Sequence, residues 1–287
     1  MKLSATKYLR INRYDSAYTT YEHVPGYLHP QLIPNAKCYT DIDRNGVIVD
    51  QKIELEELSI YYHLVYLEEG VKLTTISPNG HLLPACISGF SEYNAPTTPM
   101  KMVLAKNERN AAEAGTLITG REFVINFHVN LNLSCLECLK TEFPDFEVIA
   151  ELGMEKIRNL AGRLSFSANE VNHLLMKRIT GCKLIGRAAD IFFRRSAIDF
   201  YTTYLRYLRR PLPVMLHEKQ QQQLREIVNY IIQYPSDAGS AEALCRRFDV
   251  APAFLKAPFE QQYLISVEAL ILQEKMALIF KLITETN

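Results

Sequence analysis

Up to about Phe127 the hydrophobic positions fall in short runs rich in β-branched and aromatic residues, punctuated by turn signals. Val47 to Val49, Leu58 to Leu67, Val71 to Ile76, His81 to Phe90, Lys101 to Lys106, Thr116 to Ile118 and Glu122 to His128 read as strands, rich in β-branched and aromatic residues. Pro34-Asn35, Pro78-Asn79-Gly80 and Pro96-Thr97-Thr98-Pro99 punctuate them, with Asn79-Gly80 suited to a hairpin because both residues tolerate positive φ. Strands at such regular intervals predict an antiparallel sandwich or small barrel.

Beyond Leu131 the spacing changes to three and four, as in Leu160, Leu164, Val171, Leu174, Leu175 and Ile179, which predicts helices. A long helix is expected from Gly186 to Arg209, with Ile191, Ala197, Ile198, Tyr201, Leu205 and Leu208 on one face, stopped by Pro211-Leu212-Pro213. Further helices fit Glu218 to Gln233, Ala241 to Phe248 with Ser240 as N-cap, a short one from Pro252, and Val267 to Ile283. The class is therefore α+β: a β domain over 1–130, a helical segment over 131–213 and an all-α domain over 214–287.

Composition narrows the function. With 287 residues, 48% apolar, and 32 basic against 32 acidic residues, the chain is an ordinary globular one without an overall pull toward nucleic acid or anionic lipid. No apolar run is long enough to span a membrane and the polar start lacks a signal-peptide core, so a cytoplasmic location is expected. Six scattered cysteines fit reduced thiols better than a disulfide framework.

The chemistry of the common enzymes is missing from the sequence. Cys135-Leu136-Glu137-Cys138 is a single pair without nearby histidines, short of four zinc ligands, and reads as two buried thiols at a helix start. His63, His81 and His128 stand apart, never as His-x-His, and neither glycine-rich phosphate loops nor Gly-x-Ser-x-Gly occur. The expectation is a non-enzyme with no metal and no cofactor. Tyr61, Tyr62, His63 and Tyr66 offer an aromatic wall with hydroxyls for a small ligand, against the plainer reading of sheet packing.

The stretch Leu244 to Gln262 resembles the first helix-turn-helix of AraC/XylS-type transcription regulators. Leu244-Cys245 stands where that family opens its first helix core, Val250 matches the turn, and Leu255 with Phe259 match the anchors of the recognition helix. Ile265-Ser266-Val267 and Leu270 match the start of the family's linker helix, and Lys275-Met276 and Leu282-Ile283 its continuation. The resemblance covers only the first of the family's two such units. It implies a cupin-like sensor domain over 1–130, a dimerising helical segment, and a single DNA-binding unit over 214–287. Arg246, Arg247 and Lys256 would then meet phosphates and Gln261 a base edge of duplex DNA, in a homodimer responding to an unidentified small molecule.

Several features point to an alternative. Pro258 falls inside the recognition helix and predicts a kink or an early end. Ala251 replaces a hydroxyl N-cap, and Leu264 occupies the family's helix-ending glycine position. From Leu216 to Asn287 seven basic residues face nine acidic ones, whereas Glu151 to Arg210 holds twelve basic against five acidic, a run that pairs locally more often than it binds phosphate. The second reading is a relative that lost DNA recognition and acts as a ligand-binding or partner-interaction protein.

Overall fold

The computed structural model describes residues 9–12, 19–21, 24–43, 46–67, 71–75, 83–91, 101–105, 116–118, 122–152, 165–167, 169–209 and 216–285. The turn expected at Pro78-Asn79-Gly80 and the stop expected over Arg210 to Pro213 lie outside them. Eleven strands are described: β1 (Leu9–Asn12), β2 (Thr19–Tyr21), β3 (Lys37–Asp43), β4 (Gly46–Glu54), β5 (Leu58–Leu67), β6 (Val71–Thr75), β7 (Leu83–Ser91), β8 (Lys101–Ala105), β9 (Thr116–Ile118), β10 (Glu122–Leu131) and β11 (Ser165–Ser167). Every pairing is antiparallel. One sheet runs β11-β8-β7-β10-β5-β4-β3-β2 and a smaller one β1-β6-β9. Together with the helices this makes the chain α+β.

The described helices include α1 (Leu136–Glu142), α2 (Glu170–Thr180), α3 (Gly186–Leu208), α4 (Glu218–Gln233), α5 (Ala241–Phe248), α6 (Pro252–Leu255), α7 (Ala257–Tyr263) and α8 (Val267–Glu285). Two compact units result, one of residues 1–168 and 175–205, the other of 169–174 and 206–287. Most of the segment expected to stand apart as a dimerising linker thus belongs to the first unit. The cause is packing: Ala197, Ile198, Tyr201 and Leu205, expected on a docking face, are buried, and of that face Ile191 is well exposed.

β5 sits centrally between β4 and β10 and is buried on both faces. Ile60, Tyr62 and Leu64 share one face with Val49 of β4 and with Phe127 and Val129 of β10, all buried. α3 covers this face, Phe200 meeting Phe127 edge-on at 4.9 Å between ring centroids. Tyr201 of the same helix stacks on Phe146 at 5.4 Å. Arg194 fixes the helix further, its guanidinium bonded to Glu57 at 2.8 Å and bidentately to Glu142 at 3.1 and 2.7 Å. Arg195 pairs with Asp199 along the helix, so these two members of the basic run are locally neutralised.

In the second unit α5 starts where Ser240 accepts a hydrogen bond from the Ala243 N–H at 3.3 Å. Ser240→Ala is expected to cost about 1 kcal/mol of stability, read from the urea midpoint of the unit's transition. The helix ends with Asp249 in the left-handed region, φ 49°, and the Val250 N–H returns to the Cys245 carbonyl at 3.1 Å. The next helical stretch is broken: α6 stops at Leu255, the backbone turns at Lys256, and α7 begins at Ala257 with Pro258 in its first turn. Proline is at home there, where its missing N–H needs no partner, and it blocks continuation of α6 because its ring would strike the carbonyl four residues back.

Candidate functional site

Two groups of residues carry chemistry, one in each unit. In the first unit, the face of the sheet opposite α3 carries Tyr61 and His63 of β5, Asp50 and Lys52 of β4, and His128 of β10, because Tyr61 pairs with His128 and Lys52 and His63 with Asp50. Their rings form a ladder. Tyr61 stacks on His128 at 4.8 Å and His128 on His63 at 5.0 Å. The Asp50 carboxylate lies 2.5 Å from His63 Nδ1, while His63 Nε2 is buried with no hydrogen-bond partner among the described residues. Burial first, and the neighbouring His63 second, push His128 well below the usual histidine range, which keeps it neutral at pH 7.

At the end of this face, Lys52 lies over the Tyr61 ring at 5.6 Å and meets Glu54 at 2.5 Å, with Lys37 on the other Glu54 oxygen at 2.9 Å. Hydrogen bonds from the two lysines hold the Glu54 carboxyl at about 2. His128, one of the three histidines that stand apart in the sequence, is brought beside His63 by strand pairing, and Asp50 joins it with no signal of its own in the sequence.

The four residues expected to line one ligand wall therefore divide. Tyr61 and His63 are on the ladder face, whereas Tyr62 and Tyr66 share the α3 side, since side chains alternate along a strand. Burial raises the Tyr62 hydroxyl to about 12. Tyr66 donates a hydrogen bond to Gln31 Oε1 at 3.4 Å, close to where buried Gln51 accepts from the Ile33 N–H and donates to the Gln31 carbonyl. Tyr62 is thus buried on the α3 side, and Tyr66 is tied to the segment before β3.

Cys135 and Cys138 are not the buried pair expected: Cys135 is half-buried and Cys138 exposed, both as free thiols. Among the described residues no group of three or more histidine, cysteine or acidic side chains is placed to hold a metal.

In the second unit, Arg246, Arg247 and Lys256 are exposed and Gln261 is half-buried. The Arg247 guanidinium stacks on Tyr230 at 4.2 Å from the ring centroid, which orients it but leaves its edge to solvent. Two acids sit among these groups. Glu242, near Arg246 and Lys256, is held below the usual carboxylate range, first by the Ser240 hydroxyl. Glu260, exposed on α7, shares an open cleft of about 540 Å³ with Gln261, Ser266, Arg206 and Arg209. Arg206 donates to the carbonyl of Leu264 at 3.1 Å. These two arginines bring positive charge to α7 from a distant part of the sequence, and only the fold brings them there.

Leu264 ends α7 in the left-handed region, φ 62°, with its side chain buried. A leucine in this conformation costs roughly 1–2 kcal/mol, so the bend is imposed by packing and not by local preference. Asn169 Nδ2 donates to the neighbouring Gln262 carbonyl, and Glu170 pairs with Arg225, which closes the unit around α7. No helix among the described residues is long and apolar enough to cross a membrane. No protein-family model, no curated protein and no solved structure matches the chain.

Proposed function

We propose that the protein is a ligand-responsive transcription regulator related to the AraC/XylS type, in which the β unit senses a small molecule and the C-terminal helices meet duplex DNA. One observation carries the reading: α5, a left-handed residue, the α6–α7 pair, a second left-handed residue and α8 succeed one another in the order that the resemblance implies. The second bend falls at Leu264, in place of the family's glycine, and is kept despite its conformational cost. Arg246, Arg247 and Lys256 contact phosphates, and Gln261 lies beside the cleft at a base-edge position. In the β unit His63, whose buried Nε2 lacks a hydrogen-bond partner among the described residues, is the group that meets the effector.

The break at Lys256 favours a second reading, because a recognition element split into four and seven residues offers no continuous helix to the major groove. The acids Glu242 and Glu260 weaken any phosphate contact further. The relative would then bind a small molecule or a protein partner and no operator.

Gel retardation with the full chain separates the two. Three phosphate contacts predict binding to random and genomic duplexes at about 50 mM salt that weakens roughly 40-fold by about 200 mM. Replacing Arg246 and Arg247 together by alanine is expected to remove about two thirds of that salt slope. A chain that retards no duplex at low salt would falsify the regulator reading and leave the second one standing.

A further inference from the structure

We propose that the outward face of α8 is the surface on which a second copy of this chain docks, helix against helix. Leu272, Met276, Ile279 and Ile283 succeed one another at intervals of four, three and four and are 62%, 56%, 48% and 57% exposed. Leu282 adds a further 52% beside them. The opposite side of the same helix, with Val267, Leu270, Ile271 and Glu274, is buried, so the stripe is presented by a helix already held in place.

The spacing identifies the kind of occupant. Intervals of four and three keep apolar positions on one seam of a helix, and that seam is filled by knobs from a second helix crossing at a shallow angle. No charge interrupts it. Lys275, the nearest cation, donates to the Gly239 carbonyl at 3.3 Å and is drawn off the stripe instead of lying across it.

The surface area involved favours self-association. At about 180 Å² for a fully exposed residue of this size, the five side chains leave on the order of 500 Å² of apolar surface per copy. A pair would bury about 1,000 Å² from the stripe alone, the lower bound for a specific interface. In an antiparallel pair Leu272 meets Ile283 and Met276 meets Ile279, so one twofold axis covers both stripes at once. The face of α3 expected from sequence to dimerise is spent on the core of the first unit, which leaves α8, among the described helices, with an apolar stripe to offer.

Sedimentation of the full chain from about 1 to about 100 µM tests this, with a monomer–dimer equilibrium in the micromolar range expected. L272E/I279E is expected to weaken the dimer by at least about 100-fold with an unchanged far-UV spectrum, whereas I191E on α3 leaves it intact. Amide exchange over 272–283 in the unmodified chain is expected to slow as concentration rises, a readout that needs no variant. A chain that stays monomeric at about 100 µM, a dimer untouched by L272E/I279E, or a monomer whose α8 binds phosphatidylglycerol vesicles instead would each overturn the proposal. None of these outcomes depends on DNA binding, so this inference and the regulator reading stand or fall separately.

Discussion

Replacing Phe200 by alanine is expected to lower the unfolding free energy by about 4 kcal/mol, read from urea or thermal denaturation. Phe200 has no solvent exposure and closes edge-on over Phe127, itself fully buried in the middle of the eight-stranded sheet. Truncation removes the transfer free energy of a whole ring and leaves a cavity beside the Phe127 ring in a close-packed core that relaxes only in part. Ile191→Ala on the exposed side of the same helix is expected to change stability by less than about 0.5 kcal/mol. A Phe200→Ala cost below about 1 kcal/mol would show that α3 does not cover the sheet in solution.

Acidification is expected to have the second largest effect. His128 is held neutral in the folded chain by burial and by His63, whereas in the unfolded chain it takes up a proton near its ordinary value of about 6.5. Below that pH the unfolded state binds the extra proton, so stability is full above about 6.5 and falls as pH drops, by up to about 1.4 kcal/mol per unit. Glu54, held at about 2, and Glu142 and Glu242, also lowered, lose their contributions only beneath the ordinary carboxylate range, which keeps the two windows apart. His128→Phe keeps a ring in the ladder and is expected to flatten the histidine window. An identical pH profile for the variant and the unmodified chain would refute this assignment.

The regular elements are legible where local pattern and final environment agree. Leu58–Leu67 is a strand at the limits its β-branched and aromatic run implies, and Glu218–Gln233 and Ala241–Phe248 are helices at the limits set by periodicity and by Ser240. β3 is not legible, because Thr40 and Asp41 are both buried and the strand alternates neither apolar with polar nor inside with outside. The role of α3 is misread for a different reason. An apolar helical stripe is the same whether it meets a sheet of its own chain or another copy, and periodicity does not say which.

The candidate site is legible in part. Tyr61 and His63 stand two apart on one strand, so their shared face is dictated by period two, and Tyr62 and Tyr66 fall on the other face by the same rule. Asp50 and His128 reach His63 through strand pairing, thirteen residues before it and sixty-five after, so a search for histidines spaced along a single strand passes over them. The Arg206 and Arg209 contribution to the α7 cleft is hidden likewise, since their charges are counted with a remote basic run. Pro258, by contrast, announces the interruption that falls at Lys256 through its own missing N–H.

The two faces of β5 have opposite chemistry, a carboxylate-bound histidine on one and Leu64 on the other. Sliding the strand by a single position would thrust His63 under Phe200 and turn Leu64 toward Asp50, stranding a polar ring in hydrocarbon and the Asp50 carboxyl without its imidazole partner. A misaligned β4–β5 pair is therefore penalised on both of its faces at once, so the sheet and the helix that covers it select the same alignment.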